Sequence, residues 1–202
     1  MRHYSAIVAL AAIACLGWQI TGAAQGKPLR TVKDGILDEV KLYVATPPSS
    51  ARVVIKPFSS DEIEGDSDET TKMKVDAPGM LAERFATKLK ELGPFTDVAS
   101  LPAEGSPAAD ALLIEGKFTE MDPGSRAKRY FVGFGAGKSG VTVEGTVKSG
   151  DGTLLAQFQQ RRIGVMGVAG GNSMDKLVSD TRDIAEDVAK FMSAWARGQK
   201  LN

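Results

Sequence analysis

Val141-Thr-Val-Glu-Gly-Thr-Val-Lys148, Ser149-Gly-Asp-Gly152 and Thr153-Leu-Leu-Ala-Gln-Phe158 decide the fold class. Val141, Val143, Gly145 and Val147 alternate with Thr142, Glu144 and other polar residues, then a glycine-rich turn intervenes, then Leu154, Ala156 and Phe158 alternate with Gln157 and Gln159. A period of two with one polar set of side chains is the pattern of antiparallel strands that have one face wet. The intervening Ser-Gly-Asp-Gly supplies a hairpin turn. Working outward, Leu112, Ile114, Gly116 and Phe118 repeat the pattern with Glu115 and Lys117 between them, and Arg52-Val-Val-Ile-Lys-Pro-Phe58 is a short β-branched run. The expected sheet therefore has about four antiparallel strands, at residues 52–58, 111–121, 140–148 and 153–163.

Two helical patterns accompany it. Leu81, Phe85, Leu89 and Leu92 recur at three- and four-residue steps between Pro78 and Gly93-Pro94, which predicts a helix over residues 78–92. Leu177, Thr181, Ile184, Val188, Phe191 and Trp195 form a longer stripe opposite Asp180, Arg182, Asp183, Glu186, Asp187 and Lys190. That predicts a helix over residues 174–197, capped by Asn172 or Ser173, stopped at Gly198, with its acids on the solvated face. The fold class is α+β: an antiparallel sheet of about four strands covered by two amphipathic helices. Phe85, Phe118, Val143, Phe158, Ile184 and Phe191 should share one core. Residues 61–69 carry six acids, but Asp66, Asp68 and Glu69 lack the central glycine and terminal bidentate glutamate that a calcium loop places after them, so a solvated acidic loop is expected there.

The 202 residues divide into three parts. Residues 1–24 combine Arg2, an apolar run from Ala6 to Trp18 and the small-residue end Thr21-Gly-Ala-Ala24, the layout of a signal peptide. The run is too short for a membrane span. Cleavage near Ala24 yields a soluble periplasmic or secreted protein; the alternative is lipid attachment at Cys15, since Ala12-Ile-Ala-Cys15 loosely matches a lipobox without its usual leucine, and this would give an outer-membrane lipoprotein. Residues 25–51 are polar and end in Pro47-Pro-Ser-Ser50, an extended leader, and residues 52–198 form a single domain.

Composition narrows the chemistry. The chain has 25 basic and 25 acidic residues, and removal of Arg2 with the signal peptide leaves no global field to recruit nucleic acid. The single histidine, His3, and the single cysteine, Cys15, both lie in the export segment. The mature domain then has no histidine base, no thiol nucleophile and no ordinary zinc site, and no cofactor is expected. Catalysis would have to use an acid such as Asp183 or Glu186, or Ser139 with Lys138, which makes an envelope hydrolase the alternative to a non-catalytic binding or accessory protein.

Val132-Gly-Phe-Gly-Ala-Gly-Lys-Ser139 ends like a phosphate-binding loop, but the glycine required at position 132 is valine, and a strand follows in place of a helix. No nucleotide is expected. Arg126, Lys128, Arg129, Lys138, Arg161 and Arg162 flank this glycine-rich segment, and Arg126, Lys128, Arg129, Gly133, Gly135, Gly137 and Lys138 are the candidate contact surface. An envelope protein, a glycan and a lipid headgroup all fit as its partner.

Leu113-Ile-Glu-Gly116, Arg129 with Gly133-Phe-Gly-Ala-Gly-Lys-Ser139, Gly170-Gly171 and Asp183-Ile-Ala-Glu-Asp-Val-Ala-Lys190 resemble the bacterial envelope family known as domain of unknown function 4410, over residues 111–198. The resemblance implies an exported or lipid-anchored protein of Gram-negative-type envelopes, with no assigned activity, catalytic residue or cofactor.

Overall fold

In the computed structural model, residues 26–48, 52–65, 67–95, 97–100, 110–124, 139–164 and 173–202 are described. The three alternating runs form long strands β5 (Leu112–Asp122), β6 (Ser139–Ser149) and β7 (Leu154–Gly164), labelled here in chain order. Before them come β1 (Arg30–Lys33), β2 (Glu39–Leu42), β3 (Arg52–Ile55), helix α1 (Asp68–Leu92) and β4 (Asp97–Ser100), and after them helix α2 (Ser173–Ala196). All seven strands join one sheet in the order β1-β2-β7-β6-β5-β3-β4.

The sheet corrects the expected one in size and in kind. It has seven strands where about four were expected, and it is mixed, because β3 pairs parallel with both β4 and β5 while the other pairings are antiparallel. The parallel pairings follow from connectivity: α1 carries the chain from the end of β3 back to its start, so β4 runs in the same direction. The additional strands β1, β2 and β4 have four residues each, too few to display a two-residue period. Two of them lie within residues 25–51, the stretch read from sequence as an extended leader, and Val40 of β2 pairs with Phe158 in the middle of β7.

Helix α1 begins ten residues before its expected start. Ser67 caps it, accepting a hydrogen bond from the Thr70 N–H at 3.1 Å, and Asp68 and Glu69 place negative charge in its first turn, where the helix dipole favours it. Two of the residues expected in the acidic loop are thus helical. Pro78 lies inside the helix and cannot donate to the Lys74 carbonyl four residues earlier. The Ser60 hydroxyl donates to that carbonyl instead, at 2.7 Å, so the loop after β3 repairs the break. Ser60→Ala should leave the carbonyl without this partner and cost about 1–2 kcal/mol in urea unfolding. Pro78→Ala should offset much of that loss, because the helix then supplies its own donor.

Both helices pack on one face of the sheet, and the six core residues expected from sequence are all buried together. Phe118, Phe58, Phe158, Phe191 and Trp195 form a continuous aromatic series with ring centroids 5.7–6.4 Å apart. Trp195 ends it, its indole N–H donating to the Ala45 carbonyl at 3.0 Å. The Leu177-to-Trp195 stripe is buried as expected, and Gly198 ends the helical run at φ 63°. Burial also extends to Asp180 and Asp187, which retain only 2% and 6% of their exposure. Their assignment to a wet face is therefore corrected. The physical reason is the width of the arc that α2 covers: Ala185, Ala189 and Met192 are buried as well as the stripe, and the acids at its border are drawn in with them.

Candidate functional site

The face of the sheet opposite the helices has no covering element among the described residues, and its side chains are set by strand register. One transverse row reads Lys41, Gln157, Thr146, Glu115 and the next reads Glu39, Gln159, Glu144, Lys117, each running across β2, β7, β6 and β5. With Lys56, Pro57 and Ser59 from the end of β3, they line a groove of about 640 Å³. That volume lies within the range of ligand sites.

Most of the charges are paired within the protein. Lys148 meets Glu115 at 2.5 Å, Lys117 meets Glu62 at 2.6 Å, and Glu39 receives Lys41 at 3.0 Å and Lys33 at 3.2 Å. The hydrogen bonds from Lys41 and Lys33 hold the Glu39 carboxyl below its ordinary value, and the Glu62 hydrogen bond raises Lys117 above its own. Among the described residues, Lys56 and Glu144 form no ion pair. Tyr43 donates to the Gln157 side-chain carbonyl at 2.8 Å, which leaves that amide's N–H groups directed elsewhere, and among the described residues Gln159 and Thr146 make no side-chain hydrogen bond. The centre of the groove is thus neutral and rich in hydrogen-bonding groups, with mostly paired charge around it.

The contact surface expected from sequence, Arg126, Lys128, Arg129, Gly133, Gly135, Gly137 and Lys138, lies outside the described residues, as does Cys15. The described end of the sheet beside it is charge-paired. Arg161 grips Glu120 through two bonds of 3.0 Å, Thr142 donates to the same carboxylate at 2.7 Å, and Arg162 is paired with Asp187. Burial raises the Glu120 pKa, but the bonds from Arg161 and Thr142 outweigh it, so the carboxyl is held below its ordinary value. Two of the six basic residues flanking the segment therefore do not present free charge.

Of the sequence candidates for catalysis, Ser139 and Glu186 lie in surroundings that do not favour it, and Lys138 lies outside the described residues. Ser139 is 1% exposed on the helix side of β6, and its hydroxyl has no hydrogen-bond partner among the described residues. Glu186 meets Arg84 of α1 at 2.5 Å, and that hydrogen bond lowers its pKa, opposite to what a general acid requires. The pairing has a consequence for stability. A carboxylate whose folded pKa lies below its unfolded value stabilises fully above the ordinary value of 4.5 and loses that contribution as the pH falls through the folded one. Glu186→Gln should accordingly lower the melting temperature slightly at pH 7, where such surface pairs contribute about 0–1 kcal/mol, and the difference from wild type should vanish as the pH falls below the folded value, which flattens the acid limb of the profile.

Of the groove residues, Glu115, Lys117, Glu144, Gln157 and Gln159 occupy the polar positions of the sequence alternation. Glu39 and Lys41 were not recognisable, because β2 was not. Among the described residues, no helix is long and apolar enough to cross a membrane.

An α+β domain with one helix-covered sheet face and one polar, open face is the class that these features define. The family model for domain of unknown function 4410 matches residues 51–168, and the chain belongs to that family. The match reaches further towards the N-terminus than the sequence resemblance did and takes in β3, α1 and β4. No curated protein matches the chain. Among solved structures, the PelC dodecamer from Paraburkholderia phytofirmans is similar at 14% identity over 74% of this chain and 96% of that one, with a TM-score of 0.47. A variant of that dodecamer in a second crystal form gives 14% identity, 74% and 97% coverage and a TM-score of 0.46. An uncharacterised protein gives 13% identity, 71% and 93% coverage and a TM-score of 0.40.

Proposed function

We propose that the protein is exported and acts by binding, as a non-catalytic accessory protein of a bacterial envelope, with the open face of its sheet as a contact surface. The observation that carries the binding reading is the groove across β2, β7, β6 and β5: concave, polar, built on rigid strands and lined by side chains whose charges are largely paired. Export rests on the layout of residues 1–24, and absence of histidine and cysteine from the rest of the chain favours binding over hydrolysis. The basic, glycine-rich residues 126–138 supply a second candidate contact, because binding residues concentrate on loops held by a rigid scaffold.

The experiment is photo-crosslinking in native envelopes, with a crosslinkable residue at Gln159 and, separately, at Arg129. A specific adduct from position 159 is expected, and an Arg126, Lys128, Arg129 and Lys138 quadruple alanine variant reports the share carried by the loop. A protein that yields no adduct from either position, yet turns over an ester or amide substrate in a Ser139-dependent manner, would replace binding with the hydrolase reading. Intact mass of the envelope-derived protein tests its address: a start near Ala24 is expected, and a diacylglycerol-bearing Cys15 would show a lipid anchor instead.

A further inference from the structure

We infer that the ligand of the sheet groove is a neutral, hydroxyl-rich chain, that is, an uncharged oligosaccharide; this rests on the binding reading above and assigns its chemical class. The argument begins with charge. Of the four lysines lining the groove, Lys41, Lys117 and Lys148 already hold carboxylates and Lys56 has Glu144 to offset it; with Lys33, which shares Glu39 with Lys41, an excess of one positive charge remains, too little to recruit a polyanion or an anionic headgroup.

A protein partner fits less well. Protein interfaces draw most of their energy from exposed aromatic and apolar anchors seated in desolvated pockets. The large exposed apolar side chains among the described residues are Leu29, Val75 and Ile163, and none lines the groove. Phe158 contributes to its floor from a side chain that is 4% exposed, packed on the helix side among Phe58 and Phe191.

What remains available is hydrogen bonding. Gln157 keeps its amide N–H groups because Tyr43 occupies its carbonyl, and Gln159 and Thr146 on neighbouring strands offer further donors and acceptors without partners among the described residues. Glu144, with Gln159 directly opposite, adds a carboxylate that accepts from hydroxyls. Strand register holds these groups at fixed spacing on a rigid surface, so a chain of repeating hydroxyls can engage several at once without ordering the protein. The groove volume of about 640 Å³ accommodates a segment of chain and not a single small group.

The test is a two-dimensional amide NMR titration of the exported chain with cellohexaose and chitohexaose as neutral probes, and with polyphosphate and anionic phospholipid vesicles as charged ones. Saturable shifts from a neutral hexasaccharide, centred on Thr146, Gln157 and Gln159, are expected. A Thr146→Ala, Gln159→Ala double variant should weaken that binding about tenfold, the equivalent of two modest hydrogen bonds, with an unchanged melting temperature because both side chains lie on the solvated face. Binding of neutral probes that the double variant leaves unaltered would overturn the site. Absence of shifts from both neutral hexasaccharides at millimolar concentration would overturn the ligand class. In that event, polyphosphate or vesicle shifts at the groove, or an envelope adduct from position 159, would leave the binding reading standing, whereas silence from every probe and from the crosslinker would remove both.

Discussion

Gly116→Ala is expected to destabilise the domain by about 3 kcal/mol or more, at the upper end of what overpacking costs, and to reduce soluble yield. Gly116 and Gly145 face each other across β5 and β6 on the helix side of the sheet, where any other residue would project into the core. A Cβ on Gly116 would lie 2.3 Å from the Glu144 carbonyl oxygen and 2.5 Å from the Phe58 ring. The first contact is with backbone, so no rotamer change relieves it. Gly145→Ala meets a different obstacle: its Cβ would lie 2.3 Å from the tip of the Phe158 ring, which is fixed between Phe58 and Phe191. The two substitutions should therefore respond differently to compensation. Phe158→Leu should recover part of the stability lost in Gly145→Ala, whereas Phe58→Leu should recover little in Gly116→Ala because the carbonyl contact remains. Chemical denaturation of the four variants decides the matter, and a loss below about 1 kcal/mol for Gly116→Ala would show that the strands separate to admit a methyl group.

The same glycine pair shows where the sequence was legible and where it was not. The alternation through β5, β6 and β7 identified the inward positions, glycines included, except at the start of β7, where a register shift opposite Val147 and Lys148 buries Leu155 in place of Leu154; eleven-residue strands contain enough repeats for a two-residue period to be recognised. What the glycines do is invisible without the fold: the rings lying over them come from Phe58, beyond the end of β3, and from Phe158 of β7. The short strands escaped for a similar reason. Glu39-Val-Lys-Leu42 alternates correctly, yet four residues amid polar sequence cannot be distinguished from chance, and its strand character comes from pairing with β7. Pro78 misled because it is also a favoured helix opener, and only the Ser60 hydroxyl, contributed from outside the helix, lets α1 continue through it. The groove was half legible, since its β5, β6 and β7 residues are the polar members of the alternation, while their convergence with β2 and the end of β3 is a property of strand order.

The second large effect is expected at Asp187. This residue lies on the sheet side of α2, accepts from Arg162 and from the Gln160 side-chain amide at 3.3 Å, and meets Lys190 at 3.3 Å. Gln160 in turn accepts from the Asp38 N–H at 2.9 Å, so one carboxylate links α2 to β7 and, through it, to the turn between β1 and β2. Asp187→Ala removes the acceptor while leaving the guanidinium, whose Nε already lacks a partner among the described residues, and a glutamine that is 5% exposed. Breaking a fully buried pair costs about 3–5 kcal/mol. Arg162 keeps 41% of its side-chain exposure, so water recovers part of its solvation, and the expected loss is about 2–3 kcal/mol. Asp187→Asn should lose less, since it preserves shape and one acceptor. An Arg162→Met, Asp187→Leu double variant should be more stable than Asp187→Ala alone, because the charge that would otherwise be left unpaired has gone with its partner. Hydrogen exchange offers an independent readout: Asp187→Ala should speed exchange at the ends of β1 and β2 more than in β5, because only the former are tied to α2 through Gln160. Equal exchange rates at both places, or a double variant no more stable than Asp187→Ala, would mean that the carboxylate does not serve as the link between helix and sheet.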